Sequence, residues 1–168
     1  MKELIIVDGY NVINQESRYR QLMGDLETAR VKLIEDLANY GTVEECDVVV
    51  VFDASGGRDG FERRANIFGI DVFFTKKGQS ADSFIEKFAY EAKRDKRVTV
   101  VTADYDQQKT VFSDGVLRKT PGEMVADIVE SKVDFFGAKE VGPKKKFFLE
   151  DRLDEKVKKS LRRLIHNP

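Results

Sequence analysis

Three short apolar runs, each followed at once or after one residue by an aspartate, constrain the fold of this chain more than any other feature. Stretches with helical spacing of apolar residues separate the runs, and this alternation predicts an α/β fold with a parallel sheet and right-handed crossovers. The runs are Glu3–Val7, Asp47–Phe52 and Arg97–Thr102, and the aspartates that follow them are Asp8, Asp53 and Asp104. The carboxyl ends of parallel strands lie along one edge of the sheet, where ligands of open α/β sheets bind. We therefore expect these three carboxylates to share one edge.

Periodicity, glycine and proline indicate the remaining elements. Strands are expected at Ile70–Thr75 and, as a short edge strand, at Gly115–Arg118, and Gly41 is expected to cap the first long helix. Helices are expected over Leu22–Tyr40, Ser80–Lys93 and Tyr105–Phe112 and from Pro121 to about Phe136, with loops at Gly9–Gln15 and Ala54–Gly60 and a turn at Lys76–Gln79.

Charge is divided unevenly between the body of the chain and its end. Residues 1–140 carry 20 Lys and Arg against 26 Asp and Glu, whereas residues 141–168 carry 9 against 4. We expect one domain over residues 1–140, and over residues 141–168 a basic linker followed by an amphipathic helix that packs on that domain. The positive end suits contact with phosphates, although an ordinary solvated helix face explains it equally well.

Several classes of protein are excluded because the chain lacks their residues. Cys46 is the single cysteine, so an internal disulfide cannot form. The sequence predicts no zinc cluster, and a lone cysteine fits a protein of a reducing compartment. The first strand follows the N-terminus with no signal peptide, and no apolar stretch approaches the roughly 18 residues of a membrane span, so we expect a cytoplasmic protein with no membrane contact. His166, the single histidine, lies near the end of the chain and leaves Ser-His-Asp and Cys-His catalysis without a base.

Further acids join the same edge of the predicted sheet. Asp82 stands in the first turn of the helix after the third strand with Glu86 one turn on, and Asp106 follows Asp104 by two residues. Crowded carboxylates repel each other, and such an arrangement usually indicates a hard divalent cation, Mg²⁺ or Mn²⁺. We expect Asp106 among the metal ligands and Asp53 and Glu86 in support. Each acid also has a plainer explanation as a helix cap or first-turn residue, but repetition at successive strand ends favours a site.

Neutral and basic residues complete the predicted site. Gly9 is expected to allow a sharp turn and the close approach of a substrate backbone, and Asn11 either to bind a phosphate oxygen or to support Asp8. Basic residues that flank the edge or lie in the tail are candidates for RNA binding, with ordinary surface charge as the alternative: Arg58, Arg63, Arg64, Lys76, Lys77, Lys144, Lys145 and Lys146.

Four segments, taken together, closely resemble the YacP-like group of NYN-domain proteins, which are bacterial relatives of PIN-domain nucleases. They are IIVDGYN at Ile5–Asn11, VFDA at Val51–Ala54, GQSADSFIE at Gly78–Glu86 and VVTADYD at Val100–Asp106. The resemblance spans roughly residues 3–165. It implies a PIN-like, three-layer α/β/α sandwich with a central, mostly parallel sheet, and a Mg²⁺- or Mn²⁺-dependent endoribonuclease that acts on RNA, with a link to mRNA cleavage at the ribosome.

The resemblance also assigns site residues. It places Asp8, Asp82 and Asp104 at the acidic, catalytic metal-site positions, with Asn11, Asp53 and Asp106 at supporting polar positions. Ala103 stands where the group often has serine, which removes one secondary hydrogen bond.

The sequence therefore favours a nuclease in which a metal-activated water hydrolyses a phosphodiester bond. The main alternative is a non-catalytic RNA- or ribosome-binding module with a PIN-like fold, against which the full set of acids argues. A small-molecule phosphohydrolase or a receiver-like domain is a further alternative. Covalent phosphoryl transfer of the haloacid-dehalogenase kind is disfavoured because Tyr10 stands where its general acid would be.

Overall fold

A computed structural model describes residues 1–53, 63–104 and 115–137, except for the side chains of Arg63 and of residues 133–137. Its described elements are β1 (Glu3–Asp8), α1 (Gly9–Gln15), α2 (Ser17–Arg20), α3 (Leu26–Val43), β2 (Asp47–Phe52), β3 (Arg63–Ile67), β4 (Ile70–Phe74), α4 (Ala81–Ala92), β5 (Arg97–Val101), β6 (Val116–Lys119) and α5 (Pro121–Gly137). The six strands form one sheet in the order β3-β4-β2-β1-β5-β6. All neighbouring strands are parallel except β3, which runs antiparallel to β4. The predicted α/β class with a mostly parallel sheet is confirmed.

The sheet is covered on both faces because its inner strands are apolar on both faces. Successive side chains of a strand point to opposite sides, so Ile5 and Val7 pack with the helices of one layer, and Leu4 and Ile6 pack with the other. The first layer contains α1, α2, α3 and α5, and the second contains α4. This is the three-layer sandwich that the resemblance implies.

The segment expected as a loop at Gly9–Gln15 is helix α1. The Asp8 carboxylate caps it by accepting a hydrogen bond from the Asn11 N–H, and Val12 and Ile13 are buried in the core. The glycine is needed for packing rather than for a turn. A Cβ on Gly9 would lie 2.2 Å from Cε1 of Phe52, so the close neighbour there is an aromatic ring of the protein itself.

The first long helix was predicted to begin too early and to end too soon. Helix α3 begins at Leu26, where the Asp25 carboxylate accepts a hydrogen bond from the Thr28 N–H, and it continues to Val43. Gly41 therefore does not cap the helix. It lies inside the last turns, where a Cβ would come within 3.0 Å of Val48 Cγ2.

Strand β3 was not predicted. It forms a hairpin with β4 through the two-residue turn Phe68-Gly69, in which both residues have positive φ (53° and 87°). Such turns match the twist of paired strands. The sequence of β3, with two arginines and an asparagine, gives little indication of a strand because β3 is an edge strand.

The other boundaries agree with the prediction to within one or two residues. Ser80 and Lys93 cap α4, β4 and β5 are each one residue shorter than expected, and the edge strand β6 begins one residue later. The expected helix Tyr105–Phe112, the loop Ala54–Gly60 and the division at residue 140 lie outside the described residues.

Candidate active site

Asp8 ends the central strand β1 and is the most buried of the predicted site acids that the structure describes, with 6% of its surface exposed. Its carboxylate accepts two hydrogen bonds from Asn11, one from the backbone N–H at 3.2 Å and one from the side-chain Nδ2 at 3.0 Å. Burial raises the pKa of Asp8 above its ordinary value; the Asn11 bonds oppose this, and the charges of Asp82 and Asp53 add to it. Asp53 and Asp82 are therefore close enough to Asp8 for their charges to act on it.

Asn11 joins two separate parts of this edge. While its Nδ2 donates to Asp8, its Oδ1 accepts a hydrogen bond from the Ala103 backbone N–H at 3.2 Å. The next residue, Asp104, donates its own N–H to the Thr102 hydroxyl at 3.2 Å. Of the two roles that the sequence left open for Asn11, the structure therefore places its amide in support of Asp8, and it ties the end of β1 to the segment that carries Asp104.

Asp82 reaches this edge from α4, which lies on the opposite face of the sheet from α1. It lies in the first turn of α4, whose start is fixed by the Ser80 hydroxyl accepting from the Ser83 N–H. Burial raises the pKa of Asp82, and the charges of Asp104 and Asp53 raise it further. Glu86, one turn along α4, is exposed and is not among the charges that act on Asp82.

Within the described residues, Asp8, Asp53, Asp82 and Asp104 differ from the other partly or fully buried aspartates in having no cationic partner. Asp36, Asp47 and Asp71 each pair with lysine or arginine, at distances of 2.6 Å for Lys132 to Asp36, 2.7 Å for Lys96 to Asp47 and 2.6 Å for Arg64 to Asp71. Within the described ranges, no lysine or arginine forms an ion pair with Asp8, Asp53, Asp82 or Asp104. Among the described residues, the negative charge of these four aspartates is therefore not compensated by an ion pair.

These carboxylates are neighbours, but they do not form a closed ligand set as they stand. In the part of the chain that the structure describes, no three acidic, histidine or cysteine side chains are close enough together to hold a metal ion. Carboxylates without a cation between them repel each other, which favours such a separation. Asp106 lies outside the described residues. The convergence of Asp8, Asp82 and Asp104 on one cation stays a prediction.

A family model described as the YacP-like NYN domain matches residues 5–166 of this chain. The chain belongs to the YacP-like NYN family. The uncharacterized protein YacP of Bacillus subtilis strain 168 is 32% identical over 136 residues, which are 79% of this chain and 79% of that protein. The NYN family is nuclease-like, so the family places this chain among possible nucleases.

Solved structures agree with this membership. The crystal structure of Rae1 (YacP) from Bacillus subtilis has a TM-score of 0.68 and 31% identity, and the match covers 80% of this chain and 78% of that one. A point mutant of the same protein gives a TM-score of 0.66 and 29% identity, covering 84% of this chain and 87% of the other. The sheet and its helical layers are therefore those of a YacP-like NYN domain.

The predicted RNA-binding residues of this YacP-like NYN domain fall into three groups. Lys76 and Lys77 are exposed in the turn between β4 and α4, at the same edge as the acids. Arg64 is held by Asp71 and, with Lys2 and Lys96, lines a cavity of about 580 Å³ at the opposite edge of the sheet. None of the site acids lines that cavity. Of Arg63 only the backbone, in β3, is described, and Arg58, Lys144, Lys145 and Lys146 lie outside the described residues.

Sequence reasoning missed Arg30 in this NYN domain. This residue of α3 reaches across to donate a hydrogen bond to the Tyr10 hydroxyl, and its guanidinium lies over the Tyr10 ring at 5.2 Å and near the Phe52 ring at 5.8 Å. Tyr10 follows Asp8 by two residues, and Phe52 immediately precedes Asp53. Nothing in the local sequence of α3 indicates this contact, because it joins residues 20 positions apart.

Proposed function

We propose that this NYN domain is a metal-dependent endoribonuclease that hydrolyses phosphodiester bonds of RNA. One observation carries the proposal: four aspartates lie at the carboxyl edge of the sheet with no cationic partner among the described residues, whereas Asp36, Asp47 and Asp71 are each paired with lysine or arginine. The nuclease-like character of the family supports it.

The donor set suits Mg²⁺ or Mn²⁺, which prefer carboxylate oxygens. Asp8, Asp82 and Asp104 would hold the cation, and Asp106 is the proposed fourth ligand. When bound, such a cation would lower the pKa of water and would neutralise the charge that develops on the phosphate. The described acids are too far apart to hold it without adjustment, so we expect their side chains to draw together when the repulsion between them is relieved.

The residues of the chain position these groups. Asn11 fixes the orientation of the Asp8 carboxylate with two hydrogen bonds and holds the Ala103 backbone beside it. Asp53 would add negative charge to the same edge, which is supported by its charge acting on Asp8 and Asp82. Glu86 remains a proposed supporting acid.

Water is the proposed nucleophile, because no suitable side chain is available at this edge in the described ranges. Cys46 lies at the opposite edge, and burial raises the pKa of its thiol to about 11, so it is protonated at neutral pH. Attack by water on the phosphorus, with cleavage of the bond from phosphorus to the 3′ oxygen and proton transfer to that oxygen, would leave a 5′-phosphate and a 3′-hydroxyl.

RNA is the proposed substrate, bound by Lys76 and Lys77 next to the acids and by the basic residues 141–168. We also propose, from the resemblance to the YacP-like group, that the protein acts on mRNA at the ribosome in the cytoplasm. Among the residues that the structure describes, none of the helices has the length and apolar character needed to span a membrane.

The proposal is tested by incubating the purified protein with structured and unstructured RNA in Mn²⁺ or in EDTA. We expect cleavage in Mn²⁺, none in EDTA, and none with Asp8→Asn or Asp82→Asn. Asp71→Asn is the matched control, because it removes a carboxylate of the same kind that pairs with Arg64 at the other edge. Cleavage by both site variants at the wild-type rate would refute the assignment, and RNA binding without cleavage by the wild type would favour the non-catalytic module instead.

A further inference from the structure

Arg30 is held by aromatic rings and a hydroxyl. It is half-buried, with its guanidinium over two aromatic rings, and its described hydrogen bond goes to the neutral hydroxyl of Tyr10. Its Nε is buried and has no hydrogen-bond partner among the described residues. In the described part of the chain, Arg30 forms no ion pair.

Unlike Arg30, both Arg18 and Arg64 have a carboxylate partner among the described residues. Arg18 lies 3.1 Å from the Asp36 carboxylate and Arg64 lies 2.6 Å from that of Asp71. Arg64 also lies over an aromatic ring, Phe73 at 5.5 Å, so stacking and ion pairing are compatible in this fold. A guanidinium carries five N–H donors in a planar fork that matches carboxylate and phosphate. Arg30 therefore keeps unused capacity for an anion that the described chain does not supply.

The contacts of Arg30 place that capacity near the acidic edge. Tyr10, which accepts the Arg30 hydrogen bond, is close enough to Asp53 for that charge to act on the Tyr10 hydroxyl. Tyr10 also follows Asp8 by two residues, and Phe52, the second ring neighbour, directly precedes Asp53. The ring contacts continue through Phe52, whose centroid is 5.1 Å from that of Tyr10 and 5.6 Å from that of Phe74. This packing holds the guanidinium in place before any ligand arrives, which lowers the entropy lost on binding.

We propose that Arg30 is a substrate-binding residue that contacts an RNA phosphate adjacent to the scissile one, and that Tyr10 is the positioning residue that orients its guanidinium. A nuclease with catalytic carboxylates must hold RNA, a polyanion, against an acidic edge. A fixed cation near that edge would therefore help to position the RNA. The inference rests on the proposed function for the identity of the ligand.

The test measures RNA binding separately from cleavage. A fluorescent single-stranded RNA oligonucleotide is titrated with the full-length protein in EDTA over a series of KCl concentrations, and cleavage kinetics are then measured in Mn²⁺. Arg30→Gln should weaken binding roughly tenfold and make the slope of log affinity against log salt shallower by about 0.7, the contribution of one phosphate contact. In cleavage it should raise KM and change kcat little, because an adjacent phosphate is held equally in the ground and transition states.

Two further variants separate charge from geometry. Arg30→Lys keeps the charge and should retain the salt slope while losing affinity, because an ammonium lacks the planar fork. Tyr10→Phe removes only the hydroxyl that anchors the guanidinium and should weaken binding roughly two- to threefold, again with the salt slope retained. Arg97→Gln is the charge-matched control: Arg97 is exposed at the start of β5, at the opposite edge, and its loss should change neither the salt slope nor KM.

An unchanged salt slope and KM for a folded Arg30→Gln variant would overturn the inference. If that variant fails to fold, wild-type affinity in both Arg30→Lys and Tyr10→Phe would overturn it. The proposed function fails differently, because wild-type protein would then bind RNA without cutting it in Mn²⁺ while the effect on binding of replacing Arg30 remained measurable.

Discussion

At the scale of single residues, one amide determines how the two ends of the site are related. Asn11 uses its donor on Asp8 and its acceptor on the Ala103 backbone. A carboxylate in its place would have no donor for Asp8, and a hydroxyl is too short to reach both. The pattern Asp-Gly-Tyr-Asn indicates a capped turn, but only the folded chain shows that the cap also reaches β5.

Replacing Asn11 with alanine tests this role. We expect Asn11→Ala to lower the free energy of unfolding by about 1–2 kcal/mol, because it leaves polar groups of Asp8 and Ala103 without partners in a partly buried place. Cleavage should fall by more than tenfold because the segment that carries Asp104 loses its tie to β1. The measurements are urea denaturation and single-turnover cleavage. Wild-type cleavage by the folded variant would show that the tie has no part in the chemistry.

Removing one of the repelling carboxylates should stabilise the protein when no cation is present. The charges of Asp104 and Asp53 act on Asp82, and no hydrogen bond or ion pair of Asp82 within the described residues offsets them. We expect Asp82→Asn to raise Tm in EDTA by about 1–3 °C, a small change because solvent screens this partly exposed group. Mn²⁺ should raise the Tm of the wild type but not that of the variant. A lower Tm of Asp82→Asn in EDTA would contradict repulsion at this edge.

At the scale of elements, the carboxylate of Asp36 joins three helices. It is fully buried on α3, accepts a hydrogen bond from Tyr19 of α2 at 3.0 Å, and pairs with Arg18 of α2 and with Lys132 of α5. Burial acts to raise the pKa of Asp36, but Lys132, Lys32 and Arg18 outweigh it, so the pKa lies below its usual range. This group holds the helical layer that packs against one face of the sheet.

Asp36 should make the free energy of unfolding depend on pH in the acidic range. A carboxyl with a lowered folded pKa stabilises the fold above its unfolded value of about 3.9, and this contribution is lost as pH falls through the folded pKa. We expect Asp36→Asn to cost about 3 kcal/mol at pH 7, because cations lose their buried partner. The difference from the wild type should shrink towards pH 2 in urea denaturation. A constant difference across this range would mean that ionisation of Asp36 does not contribute.

The elements also show where sequence reasoning succeeds and where it fails. The strands β1, β2 and β5 were predictable because they are buried on both faces and read as continuous apolar runs. Helix α1 was missed because its seven residues include only three that are buried, too few to show a period. Strand β3 was missed because pairing with β4 and a positive-φ turn hold it, rather than its composition.

The same limit applies to the site. The sequence could indicate one edge for Asp8, Asp53 and Asp104 because Asp8 ends β1, Asp53 follows β2 and Asp104 comes shortly after β5, and for Asp82 because it lies in the first turn of α4. That these acids form the site stays a prediction. The position of Arg30 could not be predicted, because it depends on how α3 packs against Tyr10 and Phe52.

At the scale of the whole molecule, the acidic body and the basic end divide the proposed work. Residues 1–140 carry the carboxylates of the proposed active site. Residues 141–168 carry 9 Lys and Arg against 4 Asp and Glu, and this positive net charge would attract RNA. The family match reaches residue 166, so this end belongs to the family domain in sequence.

Replacing Lys144, Lys145 and Lys146 together with alanine should weaken RNA binding. Each phosphate contact contributes roughly −0.7 to the salt slope for single strands, so loss of three contacts should make the slope shallower by up to about 2. Cleavage at saturating RNA should change little, because these lysines are not proposed to contact the metal or the water. The measurement is RNA binding across KCl concentrations. An unchanged slope would direct the search for the RNA path to Lys76 and Lys77.

The first strand of the chain lies in the middle of the finished sheet. Glu3 pairs with Arg97 on one side of β1, and Leu4 pairs with Asp47 on the other. One neighbour of β1 is therefore β5, which comes more than 90 residues later in the chain. Pairing between distant segments is slow and comes late in folding. The acidic edge is therefore absent from a partly synthesised chain, and a protein that would cut RNA gains its cutting edge only after most of its own synthesis is complete.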